Sequence, residues 1–225
     1  ALGPTGDIFM AGFTHGDFPT TPGAAQTVFG GYGDAYVVHL STGGALLYST
    51  YLGGQSWDGP GGIAVDAQGS AVVAGNTHSI DFPTTVGAYV RACDNCATNY
   101  STDGFVAKIS PTGAGLVFST LLGGAAAPSS EGLNGVALDA QGRVAVVGVS
   151  NAADFPTTSN AYRRTASGGY DVVAALLSAD GSQLLYGTYL GGAGNDRAMD
   201  MVTDPQGRIY VSGYTDSVNF PTTSG

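Results

Sequence analysis

"DFPTT" occupies residues 17–21, 81–85 and 154–158, and "NFPTT" residues 219–223. An enzyme seldom needs four copies of one site, whereas a repeated fold needs the same corner each time. The Phe of each copy stands at 18, 82, 155 and 220, in steps of 64, 73 and 65 residues. Three further markers recur around it in one fixed order. A strand start follows the corner, as "DAYVVHLS" (34–41), "DGFVAKIS" (103–110) and "DVVAALLS" (171–178). Next come "YSTYLGG" (48–54), "FSTLLGG" (118–124) and "YGTYLGG" (186–192). The last is Asp-x-Gln-Gly at Asp66, Asp139 and Asp204. Four markers in one order define a unit of about 68 residues.

Each unit reads as four strands. The first is short and apolar, as in "GIAVD" (62–66), "GVALD" (135–139) and "DMVTD" (200–204). The Asp-x-Gln-Gly turn follows, in which Asp bonds its own backbone two residues on and Gly takes positive φ. The second strand is "SAVVAG" (70–75), "RVAVVG" (143–148) or "RIYVSG" (208–213). The Phe-Pro-Thr-Thr corner opens a longer connection to the third strand, and a Gly-containing turn leads to the fourth, which ends in Gly-Gly. No intervening segment has helical spacing over eleven or more residues. Four short antiparallel strands per repeat describe a β-propeller blade. The first two strands are apolar on both faces, as expected near the propeller axis. The period exceeds the ~40–45 residues of WD40 units and the ~50 of kelch.

Composition agrees with an all-β chain. Of 225 residues, 37 are Gly, 43% are hydrophobic and only 11% are charged, so a core can be buried and disorder is disfavoured. Net charge is −10 with seven Lys and Arg, which leaves no basic stripe for phosphate backbones or an anionic membrane surface. No apolar run approaches the ~20 residues of a membrane span.

The sequence also resembles a known family. "GNTHSIDFPTT" (75–85), "GFVAKIS" (104–110), "YSTYLGG" (48–54) and "GIAVDAQG" (62–69) are similar to the bacterial SBBP repeat, the "seven-bladed β-propeller" repeat family. The likeness extends over nearly the whole chain. It implies a secreted or cell-surface module of a larger bacterial protein, with no established enzyme activity. The blades are expected as a partial blade at 1–54, blades at 55–124 and 125–192, and the start of the next at 193–225. That arrangement is thirteen strands, a little over three blades. Both ends lie inside the repeat, so the chain reads as a piece of something longer. Open blade faces are expected to be covered by other blades, other subunits or filament packing.

Several positions could carry chemistry. An acidic residue sits eight positions before each turn Asp: Asp58, Glu131 and Asp196. At the start of an innermost strand these would ring the channel mouth, where carboxylates suit Ca²⁺ or Mg²⁺. The competing assignment is a cap bonded to local backbone. Asp34, Asp103 and Asp171 are expected to cap the third strands. Phe18, Phe82, Phe155 and Phe220 are expected to anchor each corner between blades, with Asp66, Asp139 and Asp204 fixing the turns. The four corners could alternatively form a fourfold ligand site. "CDNC" (Cys93–Cys96) lies in a longer loop and is expected to form a local disulfide, as suits an extracellular loop, with free thiols or a metal as the alternatives. "NYS" at Asn99 matches a glycosylation sequon. His15, His39 and His78 form no triad, and Trp57 reads as a partly buried residue that could also stack on a sugar. The function expected is a non-enzymatic extracellular scaffold or adhesion module, or a subunit of a surface polymer or filament, binding proteins or glycans. The alternative is a carbohydrate-active hydrolase or lyase that uses the mouth carboxylates.

Overall fold

The computed structural model describes residues 1–93, 96, 101–126, 129–204 and 208–224. Among these are thirteen strands and no helix. The strands form four antiparallel sheets. The first holds β1 (Ile8–Thr14), β2 (Asp34–Leu40) and β3 (Leu46–Leu52). The second holds β4 (Asp58–Val65), β5 (Ala71–Thr77), β6 (Asp103–Ile109) and β7 (Leu116–Leu122). The third holds β8 (Glu131–Leu138), β9 (Val144–Ser150), β10 (Asp171–Leu177) and β11 (Leu184–Leu190). The fourth holds β12 (Asp196–Thr203) and β13 (Ile209–Thr215). Every sheet is a meander in chain order, and β4, β8 and β12 pack against one another in series. These are blades of a propeller, incomplete in the first and last sheets.

The turns form as their residues dictate. Asp66 accepts from the Gln68 and Ser70 amides at 2.9 and 2.8 Å, and Gly69 takes φ +83°. Asp139 repeats this with Gln141 and Arg143, and Gly142 has φ +76°. Asp204 accepts from the Arg208 amide at 2.9 Å. Asp66 also pairs with Lys108 at 2.8 Å.

Two details differ from the sequence expectation. The first strand of each blade begins four residues earlier, at the acidic residue itself. Each such strand carries a bulge, at Pro60/Gly62, Leu133/Gly135 and Ala198/Asp200, which breaks the alternation a strand is recognised by. In the two complete blades the most enclosed strands are also the second and third, β5, β6 and β9 above all, rather than the first two. The first strand is an edge strand of its sheet, so only one of its edges is paired.

The core lies between blades. Phe9, Val37 and Tyr48 of the first sheet share one cluster with Val73, Phe82, Phe105 and Ile109 of the second. Val72, Val106 and Phe118 of the second share another with Val146, Phe155 and Tyr189 of the third. Cys93 and Cys96 form a disulfide with Cα atoms 5.5 Å apart, and both are buried in the first of these clusters. Asp103 lies close to both sulfurs, but the disulfide leaves no thiolate to bind a metal. Asn99 lies outside the described residues.

Candidate functional site

The corner motif divides its labour by residue. Phe82 is 4% exposed and stacks on Phe105 with centroids 4.6 Å apart. Phe155 is equally buried and meets Tyr189 edge-on at 5.9 Å. Phe18 and Phe220, in the incomplete blades, are only half-buried. The second Thr of the motif binds the fourth strand of its own blade. The Thr85 amide donates to Ser119 O at 3.0 Å, and the Ser119 amide donates back to Thr85 Oγ1 at 2.9 Å. The motif's acid reaches elsewhere. Asp81 Oδ1 accepts from the amide of Gln55, at 2.9 Å, in the preceding blade's Gly-Gly loop. Asp154 accepts likewise from Ala125 and Ala126, and Asn219 from Ala193 at 2.8 Å. This acid is therefore a tie between blades, not a cap of its own loop.

The other repeated acids meet at the same loop. Asp58 is fully buried, and its Oδ2 accepts from the Gly54 amide at 2.7 Å and from Ser79 Oγ at 2.8 Å. Its Oδ1 accepts from Thr77 Oγ1. Asp196 repeats the pattern with Gly192, Ser217 and Thr215. Glu131 accepts from Ser150 Oγ at 2.9 Å and the Gly124 amide at 3.4 Å. The structure places these three in separate junctions, buried, instead of facing one channel mouth. Asp34, at the start of β2, comes to the first junction from the other side. Its Oδ2 accepts from the Gly30 amide at 2.8 Å. A Cβ on Gly53 would lie 2.7 Å from Asp34 Oδ1 and 2.8 Å from Asp58 Oδ2, so Gly is required there. Each junction thus gathers three repeat positions: Asp34, Asp58 and Asp81; Asp103, Glu131 and Asp154; Asp171, Asp196 and Asn219.

The three junctions handle their charge differently. In the second, burial pushes Glu131 up to about 8, and its Oε2 has no partner among the described residues. Ala152 stands where Ser79 and Ser217 donate a hydroxyl in the other two. In the third, burial alone would raise Asp196, but hydrogen bonds from Thr215, Gly192 and Ser217 and the Arg163 charge outweigh it and hold Asp196 below the usual range. Arg163 donates to Gly191 O at 2.9 Å. In the first, burial raises Asp34 to about 6 against the Gly30 hydrogen bond, with the Asp58 and Asp81 charges adding to the rise. Burial also raises Asp58, despite its hydrogen bonds.

The Glu131 shift has a sign that can be tested. A carboxyl with a raised folded pKa holds its proton longer folded than unfolded, so stability falls as pH rises from about 5 to about 8. The slope from this group is at most about 1.4 kcal/mol per pH unit. Denaturant titrations across that range should show the fall in the wild type, and Glu131→Gln should remove most of it. A slope unchanged in the variant would place the titration elsewhere.

One cluster breaks the repeat. Trp57 is half-buried, where its counterparts are Ser130 and Asn195. It lies 5.3 Å from Phe13 and 5.9 Å from His78, and His15 joins Phe13 to Tyr32, which is 72% exposed. His39 is buried instead, bonded to Asp7 and stacked on Phe9.

No curated protein matches the chain. A family of β-propeller repeats does, over residues 185–221. That segment runs from β11 through Gly191-Gly192, β12 and β13 to the Phe220 corner, and so includes Asp196 and Asn219 of the third junction but not Asp171 or Arg163. The chain therefore carries an SBBP beta-propeller repeat at residues 185–221, and the same markers recur through the rest of its blades.

Proposed function

We propose that this chain is a non-enzymatic β-propeller scaffold, extracellular or on a bacterial cell surface, that displays its loops and blade edges to glycan or protein partners. The observation that carries this is the aromatic patch at the first junction. The repeated acids are engaged in holding blades together, while Phe13, His15, Tyr32, Trp57 and His78 form a cluster of exposed and half-exposed rings that the second and third junctions lack among the described residues. Rings with an apolar face and a polar tip suit a partly wet binding surface.

A glycan array that reads both retention and cleavage tests the proposal. Retention without cleavage is expected, and Tyr32→Ala should abolish it without changing the melting temperature. Cleaved glycans would instead favour a hydrolase or lyase built on the junction carboxylates.

A further inference from the structure

The three blade junctions differ in how their carboxylates are neutralised, and the first has no visible means. In the third, Asn219 replaces one acid and Arg163 supplies a cation. At the position of Arg163 the first junction has Gln26: both residues' amides donate to the matching Thr, Thr188 and Thr50. Gln26 donates weakly to Asp34 Oδ2, at 3.3 Å, and brings no charge. No ion pair among the described residues involves Asp34, Asp58 or Asp81. In the second junction, a carboxyl that stays protonated to about pH 8 lowers the charge by itself.

Asp34 supplies the independent observation. The residue is fully buried, yet its Oδ1 has no hydrogen-bond partner among the described residues. That oxygen and Asp58 Oδ2 converge beside Gly53, 2.7 and 2.8 Å from where its Cβ would stand. Gly53 also lines a cavity of about 280 Å³, with Gln26, Gly30, Tyr51, Gly54 and Asp81. Asp81 is exposed and stands on the cavity side. Gly30 and Gly54 of the cavity wall donate to Asp34 and Asp58, so the two buried carboxylates lie just behind that wall.

We propose that the first junction is a binding site for one divalent cation, calcium by preference, held by Asp34 Oδ1 and Asp58 Oδ2 with water from the cavity. Calcium takes carboxylate oxygens at about 2.3–2.6 Å, so one ion can reach both. Carbonyls of the Gly-Gly loop and water complete its shell, and Asp81 adds charge at the mouth. Magnesium fits less well because it demands near-octahedral geometry and gives up water reluctantly. The ion would join the third strand of one blade to the first strand of the next. It would do at the first junction what Arg163 does at the third.

Calcium and terbium titrations of chelator-treated protein test this. Terbium emission sensitised by Tyr51 should saturate at one ion per chain. Extracellular calcium modules bind at about 10⁻⁴–10⁻³ M, so 10 mM calcium should raise the melting temperature by several degrees, roughly 3–10 °C. Asp34→Asn should abolish both responses. Gln26→Arg, which copies the third junction, should also abolish them while keeping the calcium-free melting temperature at or above the wild-type value. No binding at 10 mM would overturn the proposal, as would binding that survives both substitutions. So would a melting temperature that ignores calcium but falls as pH rises through 6, since a shared proton would then fill the gap.

Discussion

Phe82→Ala should destabilise the protein by about 3–5 kcal/mol, the range for removing a buried Phe ring. Phe82 is 4% exposed, stacks on Phe105, and sits in the cluster that joins the first sheet to the second. Truncation leaves a cavity bounded by strands from two blades and by the Cys93–Cys96 disulfide, and such walls relax little. Phe18→Ala is the internal comparison. The same motif residue is half-buried there, resting on Tyr36 at 3.9 Å, and should cost clearly less. Urea denaturation of both variants gives the two values. A near-neutral Phe82→Ala would mean the corner is not an anchor, and its fourfold repetition would need another cause.

Gly61→Ala should cost roughly 3 kcal/mol, at the upper end of overpacking penalties. Gly61 lies at the bulge of β4, and an added Cβ would come 2.1 Å from the backbone oxygen of Leu133 in β8. The obstacle is main chain, not a side chain that can swing away, so the two innermost strands must separate. Gly115→Ala is the control, because nothing lies within 4 Å of its added Cβ and no positive φ opposes it. It should be near neutral.

Much of this architecture is legible in the sequence, and the limit is physical. Asp34, Asp103 and Asp171 mark the third-strand starts without error, since a polar strand start before an alternating run is a local signal. The Asp66 and Asp139 turns form as their residues require, for the same reason. The first strands are less visible. "DGPGG" (58–62) has little β propensity, and its bulge spoils the alternation, so only the apolar half of β4 stands out. The junctions are the larger omission. Nothing in the sequence near Asp81 points to its partner, the Gln55 amide, which is 26 positions upstream in the loop that joins two blades. Asp34, Asp58, Asp81 and Gly53 each repeat in the sequence, and each looks self-contained there. That they share one point is a property of blade stacking. A signal was present all the same: Asn219 and Arg163 both depart from the repeat at the third junction, where an acid is lost and a cation gained.

The central claim is that these sheets stack as successive propeller blades through their innermost strands. Amide hydrogen exchange on Gly61→Ala, resolved to individual strands, tests it most directly. The account predicts faster exchange in both β4 and β8, although the substituted residue lies in β4, with β10 and β11 at wild-type rates. Acceleration confined to β4 and its partner β5, with β8 unchanged, would contradict the stacking.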